Sequence, residues 1–90
     1  MKKVFQIIPH KGFTKQLKKQ SPKIRDKVKA RLLVFIHNPS NQLLNNHALT
    51  GKWKGYRSIN ITGDTRAIYQ RIGDDTAIFV AIGTYSQLYS

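Results

Sequence analysis

Cysteine is missing from this chain of 90 residues, so no disulfide can staple it and no thiolate can hold a metal. That fits a reducing cytoplasm. Acidic residues are scarce too: four Asp and Glu stand against sixteen Lys and Arg, for a formal net charge of +12. A field of that sign attracts polyanions, which puts nucleic acid and acidic proteins first among the partners to consider. No apolar run approaches the roughly 20 residues needed to span a bilayer. The start, Met1-Lys2-Lys3-Val4-Phe5, is basic but lacks the long apolar stretch and small-residue cleavage site of a secretory signal. Repeats, low-complexity tracts and linkers are lacking as well, and the length allows one small core. The expectation is a single domain over residues 1–90, soluble and cytoplasmic, with no membrane contact.

What is present is unevenly placed. Eleven of the sixteen basic residues fall at or before residue 31, accompanied there by Asp26 as the sole acid, so the front third is a cationic surface. Val4, Phe5, Ile7 and Ile8 ahead of Pro9 read as a strand, with a turn at Gly12. Phe13 and Leu17 predict a short helix over 13–20. Ser21-Pro22 then supplies a capping hydroxyl followed by a proline that sacrifices no amide, and Ile24, Val28, Leu32 and Phe35 carry a helical stripe onward until Asn38-Pro39 stops it. Residues 38–50, rich in Asn and Ser, read as a surface connection. Arg57, Ile59 and Ile61 alternate with Tyr56, Ser58, Asn60 and Thr62, the period of a strand; Gly63-Asp64 predicts a hairpin turn. Further strands are predicted over about 65–72 and 76–84, the last apolar on both faces and so buried. The sum is an α+β fold: an N-terminal strand, a helical hairpin, then a three-stranded antiparallel meander, with the helices packed on one face of the sheet.

Three patterns occur in order along the chain: His-x-Leu-x-Gly-x-Trp-Lys-Gly-Tyr-Arg at His47 to Arg57, Asp-x-x-x-Ile-Tyr at Asp64 to Tyr69, and the ending Gly83-Thr84-Tyr85-Ser86-Gln87-Leu88-Tyr89. With them the chain resembles, over nearly its whole length, the RelE/ParE superfamily of bacterial toxins from type II toxin-antitoxin systems, and within it the YafQ-like branch. That resemblance implies a RelE-like fold and a small basic endoribonuclease that cuts messenger RNA on the ribosome and so inhibits translation. It implies no cofactor and no metal. The implied partners are a cognate acidic antitoxin, mRNA and the ribosome, with operator DNA met only through the antitoxin complex. By the same resemblance His47, Asp64, Arg66 and Tyr85 are the candidate catalytic residues, and Lys52, Trp53, Lys54, Arg57 and Tyr89 the candidate RNA-binding ones. The pattern departs at Asn60 and Tyr85, where YafQ-like toxins commonly carry histidines. Two alternatives therefore stand beside the nuclease: a catalytically degenerate relative that binds RNA or antitoxin without cleavage, and a gyrase inhibitor of the ParE kind.

The residue types suit metal-free RNA cleavage, in which the ribose 2'-hydroxyl is the nucleophile and the protein supplies a base, an acid and positive charge around the phosphorane. Histidine as a type titrates near ~6.5 and carries protons either way. Arg66 and Arg57 offer forked donors for phosphate oxygens, Lys52 and Lys54 point charges. Trp53, Tyr85 and Tyr89 can stack on splayed bases. Each has a plainer reading. Asp64 suits a turn after glycine, Trp53 suits a loop anchor, Arg66 can pair with Asp64, and Tyr69 continues an apolar strand into the core. His10 and His37 sit beside element ends and receive no function. The nuclease reading expects Arg66 and His47 to converge in one electropositive hollow, and the two turned toward opposite sides of the molecule with no hollow between them would overturn it.

Overall fold

The computed structural model describes residues 4–89, so Lys2 and Lys3 of the cationic third lie outside the described residues. Strand β1 (Gln6–Pro9) ends on a proline, which an edge strand tolerates because its outer amides need no partner. Helix α1 (Lys11–Lys18) begins two residues before the predicted start, because His10 Nδ1 accepts from the Gly12 amide at 3.0 Å and caps it. Helix α2 (Pro22–His37) starts and stops as its sequence signals predict, with Ser21 Oγ accepting from Ile24 N at 3.2 Å. Val28 and Phe35 of its stripe are buried. Arg25 is drawn out of the cationic surface: its guanidinium donates to Gln20 O at 2.6 Å and ties the two helices together.

The segment 38–50 holds more structure than its composition suggests. A single 3-10 turn at Gln42–Leu44 buries Leu44, started by Asn41 Oδ1 accepting from Leu43 N at 2.9 Å. Asn45 then enters the left-handed region (φ 44, ψ 48), which asparagine accepts more readily than most residues. The two-residue strand β2 (His47–Ala48) follows, pairing antiparallel with β3 (Arg57–Asn60). After β4 (Thr65–Ile72) and β5 (Thr76–Thr84) the chain closes with the short helix α3 (Tyr85–Tyr89). The sheet order is β1-β5-β4-β3-β2. The predicted meander is β3-β4-β5, and it is widened by β2 on one edge and by β1, parallel to β5, on the other.

Two apolar layers flank the sheet. On one face Ile59, Ile61, Ala67, Tyr69, Ala77 and Phe79 pack with Phe13, Val28 and Phe35 of the helices; the Phe35 ring lies 4.9 Å from Tyr69 and 5.4 Å from Phe79. On the other face Ile68 and Ala81 pack with Leu49 and Leu88. The pairing steps from Ile68↔Ala81 to Tyr69↔Phe79, leaving Val80 as an extra residue in β5. This bulge resets the alternation, so Phe79 faces the helices while Ala81 and Gly83 face away from them.

Candidate active site on the face opposite the helices

Residues paired directly across strands share a face of the sheet. The register aligns His47, Ser58, Ile68 and Ala81 in one row, and Asn60, Arg66 and Gly83 in the next. His47 and Arg66 therefore project from the same side, away from α1 and α2. Their α-carbons are two strands and two residues apart, about 12 Å at the usual strand spacing and rise.

Helix α3 forms the wall of this face. Five residues cannot hold a helix alone, and four contacts hold this one. Thr84 Oγ1 accepts from Gln87 N at 3.2 Å while Gln87 Oε1 accepts from Thr84 N at 2.9 Å, a reciprocal cap. Tyr85 N donates to Asp64 O at 3.1 Å, tying the helix to the β3-β4 turn. Trp53 Nε1 donates to Leu88 O at 2.8 Å, and Leu88 itself is buried. Gly83 permits the fold-back, since a β-carbon there would lie 2.9 Å from Gln87 Oε1.

His47, Thr50, Tyr85 and Tyr89 line an open hollow of about 240 Å³ at this wall, the two tyrosine rings 4.6 Å apart. His47 Nδ1 lies 2.8 Å from Asn45 O. A carbonyl can only accept, so as a hydrogen bond this contact needs the proton on Nδ1, and a ring carrying its proton there alone has its lone pair on Nε2. The left-handed turn at Asn45 is what aims that carbonyl, and no sequence signal marks it in advance.

Arg66 does not line the hollow. Its Nη1 donates to Thr62 O and Gly63 O, both at 3.0 Å, folding the guanidinium against the β3-β4 turn and leaving Nε and Nη2 without partners among the described residues. The expected common hollow is therefore corrected to a common face with two separate stations. Asp64 is exposed at that turn, and among the described residues its carboxylate pairs with neither Arg66 nor any other cation. Lys52 and Lys54 are exposed on the loop beside the hollow, with Lys52 Nζ 6.0 Å from the Trp53 ring. Trp53 is the loop anchor, bonded to Leu88 and set edge-on to Tyr56 at 5.5 Å. Arg57 pairs with Tyr69, so its side chain leaves from the helix-covered face, apart from His47. His10 and His37 serve as cap and backbone partner, in line with the plain reading. Sequence reasoning gave Ser58 and the Asn60 amide oxygen no functional place; both Ser58 Oγ and Asn60 Oδ1 are buried on the site face without hydrogen-bond partners, and Asn60 stands directly beside Arg66. Thr-x-x-Gln at 84–87 is the one signal that was available for the α3 cap.

Among the described residues no cluster of His, Asp or Glu is set to hold a metal, and no helix is long and apolar enough to cross a membrane.

A five-stranded sheet with a helical hairpin on one side and a polar hollow under a short C-terminal helix on the other is the architecture of the RelE-like toxins. Residues 5–90 match the family of bacterial toxins of type II toxin-antitoxin systems, YafQ, and the chain belongs to that family. It is 38% identical over 64 residues to a candidate YafQ toxin of Haemophilus influenzae, a match covering 66% of this chain and spanning 61% of that protein's length. Its structure is similar to the crystal structure of YafQ from E. coli strain BL21(DE3), with 27% identity and a TM-score of 0.79 over 96% of this chain and 99% of that one. It is similar also to the toxin in the E. coli DinJ-YafQ toxin-antitoxin complex, with 25% identity and a TM-score of 0.77 over 97% and 99%.

Proposed function

We propose that this chain is a metal-independent endoribonuclease that cuts messenger RNA, on the ribosome, and is held inactive by an acidic antitoxin. The observation that carries the reading is His47: its Nδ1 is committed to Asn45 O, and its Nε2 is the free nitrogen at an open hollow walled by two tyrosines. In the proposed reaction Nε2 takes the proton of a ribose 2'-hydroxyl, whose oxygen attacks the adjacent phosphorus. The 5'-oxygen of the next nucleotide leaves with a proton, and a 2',3'-cyclic phosphate remains. In this reading Tyr85, whose backbone amide donates to Asp64 O at 3.1 Å, and the Asp64 carboxylate serve the leaving 5'-oxygen. Arg66 offers Nε and Nη2 to a phosphate of the strand about 12 Å along the same face, while Lys52 and Lys54 add positive charge on the neighbouring loop. Tyr89 gives a base a ring to stack on. The cytoplasm, where translated messages are found, is the proposed place of action.

The test is to incubate the purified chain with actively translated mRNA and map the new ends. His47→Gln should lower cleavage by about 10²–10⁴-fold, the range for a positioned base, and Arg66→Ala should also lower it while leaving the fold intact. A wild-type chain that binds translating ribosomes but leaves their messages whole would refute the nuclease reading. It would favour the non-cleaving alternative, which the unprotonatable Asn60 at a buried place beside Arg66 supports.

A further inference from the structure

Arg57 is half-buried and carries no carboxylate partner among the described residues, an unfavourable state for a guanidinium unless an anion reaches it. Its Nε donates to Asn46 Oδ1 at 2.9 Å, which leaves both terminal nitrogens without acceptors among the described residues. Asn46 is itself fixed: its Nδ2 donates to Pro39 O at 3.0 Å and lies 2.8 Å from Tyr69 Oη, and the buried Tyr69 hydroxyl lies 3.2 Å from Asn46 Oδ1. A buried tyrosine and a fixed amide thus hold the guanidinium in place from behind. In front of it is a cleft of about 310 Å³ that Ser40 and Arg71 also line. Arg71 is held at the rim by Gly73 O at 3.0 Å and Asp74 O at 3.2 Å, with its guanidinium carbon 5.2 Å from the centre of the Phe5 ring. These partners are backbone carbonyls, and the two guanidinium groups and the Ser40 hydroxyl line one polar cleft, with Asp74 and Asp75 in the adjoining turn.

This cleft is distinct from the His47 hollow, yet near it. Ala48 pairs with Arg57 and His47 pairs with Ser58, so the two sites are one register step apart on opposite faces of the β2-β3 edge. Strand β2 has two residues and nothing beyond it in the sheet. A flexible polyanion can turn round that edge.

We propose that the cleft between Arg57 and Arg71 is a second phosphate site, which takes one backbone phosphate of an RNA strand passing round the β2-β3 edge from the His47 face. A phosphate fits because its oxygens accept both Nη donors of Arg57 at once, with Arg71 and the Ser40 hydroxyl completing the shell. The choice of RNA as the carrier rests on the proposed function; the oxyanion chemistry does not. The test separates the two. Inorganic phosphate is titrated into the ¹⁵N-labelled chain, following the Nε signals of Arg57 and Arg71 and the Ser40 and Asn46 amides. These should shift saturably, equally well in His47→Gln, several-fold more weakly in Arg71→Gln, and not at all in Arg57→Gln that keeps its sheet resonances. A 2'-O-methyl oligoribonucleotide, which cannot be cut through its 2'-oxygen, should shift the same signals and compete with phosphate. The slope of log K against log salt for that oligonucleotide should be shallower by about 0.7 in Arg71→Gln, one phosphate contact on a single strand. Shifts confined to the helix lysines, or phosphate binding unaltered by Arg71→Gln, would overturn the site. Phosphate binding that the oligonucleotide neither displaces nor mimics would overturn its assignment to RNA and leave a pocket for free phosphate.

Discussion

Replacing Trp53 by Phe tests whether α3 is held from outside. The change keeps most of the ring but deletes the Nε1 donor that meets Leu88 O at 2.8 Å in a half-buried position. A hydrogen bond of this kind contributes roughly 1 kcal/mol net, and a carbonyl left dry costs about 1–3 kcal/mol. A loss near 2 kcal/mol is the working figure, or roughly 30-fold in the population of the opened helix. Because five residues have almost no helical stability of their own, that loss should fall on α3 rather than on the sheet. Amide hydrogen exchange reads it directly: the Tyr85 and Gln87 amides should exchange about 10–100 times faster, on the same arithmetic. Amides in the middle of β4 and β5 should exchange at nearly the wild-type rate, since Phe35, Tyr69 and Phe79 are untouched. Equal acceleration in β4 and α3, or no change in α3, would refute the idea that Trp53 acts as a local tether.

Gly83→Ala should push Gln87 Oε1 off Thr84 N, since the new β-carbon would lie 2.9 Å from that oxygen, and ease the opening of α3 by about 1 kcal/mol, read as roughly 5-fold faster exchange of its amides while the urea midpoint hardly moves. Adding Gln87→Ala should then cost little more, and full additivity of the two changes would show that the cap is not what the methyl disturbs. Binding to the proposed acidic antitoxin should be fast and fall steeply in rate as salt is raised, because +12 of charge steers the encounter; a rate indifferent to salt would argue that the contact is apolar instead.

The elements with strong local signals were legible in the sequence. Ser21-Pro22 and Asn38-Pro39 bracket α2 where the structure has it, because capping and proline stereochemistry act within one turn. The three strands of the meander follow from alternation and glycine turns. The parallel union of β1 with β5 left no local trace, since partners some 70 positions apart are set by the whole fold. Strand β2 was invisible for a related reason: two residues inside an Asn-rich stretch carry no period at all. The bulge at Val80 is hidden in an unbroken apolar run, where every residue suits either face. For the site, residue types were readable but their convergence was not. Alternation placed Arg57 with Ile59 and Ile61 on one face of its strand, but its separation from His47 was not readable, because the strand that carries His47 shows no period. The turn of Arg66 toward Thr62 and Gly63 was not readable either, since rotamer choice depends on carbonyls that exist only once the hairpin has formed.

These two kinds of information map onto two kinds of stability. The layer of Phe13, Phe35, Tyr69 and Phe79 is encoded by long apolar periodicity and holds the sheet rigid, so the rows bearing His47 and Arg66 keep their spacing whatever the loops do. The hollow is finished by pieces that are each marginal: a left-handed Asn45, a single turn ending at Trp53, and a five-residue helix. Substitutions in the first set should lower the amount of folded protein and leave the chemistry of what remains unaltered. Substitutions in the second set should change the chemistry while the global unfolding midpoint barely moves, because the elements they loosen open on their own, below the free energy of global unfolding. Placing the proposed working surface on elements of low local stability also leaves it open to reshaping by a bound partner.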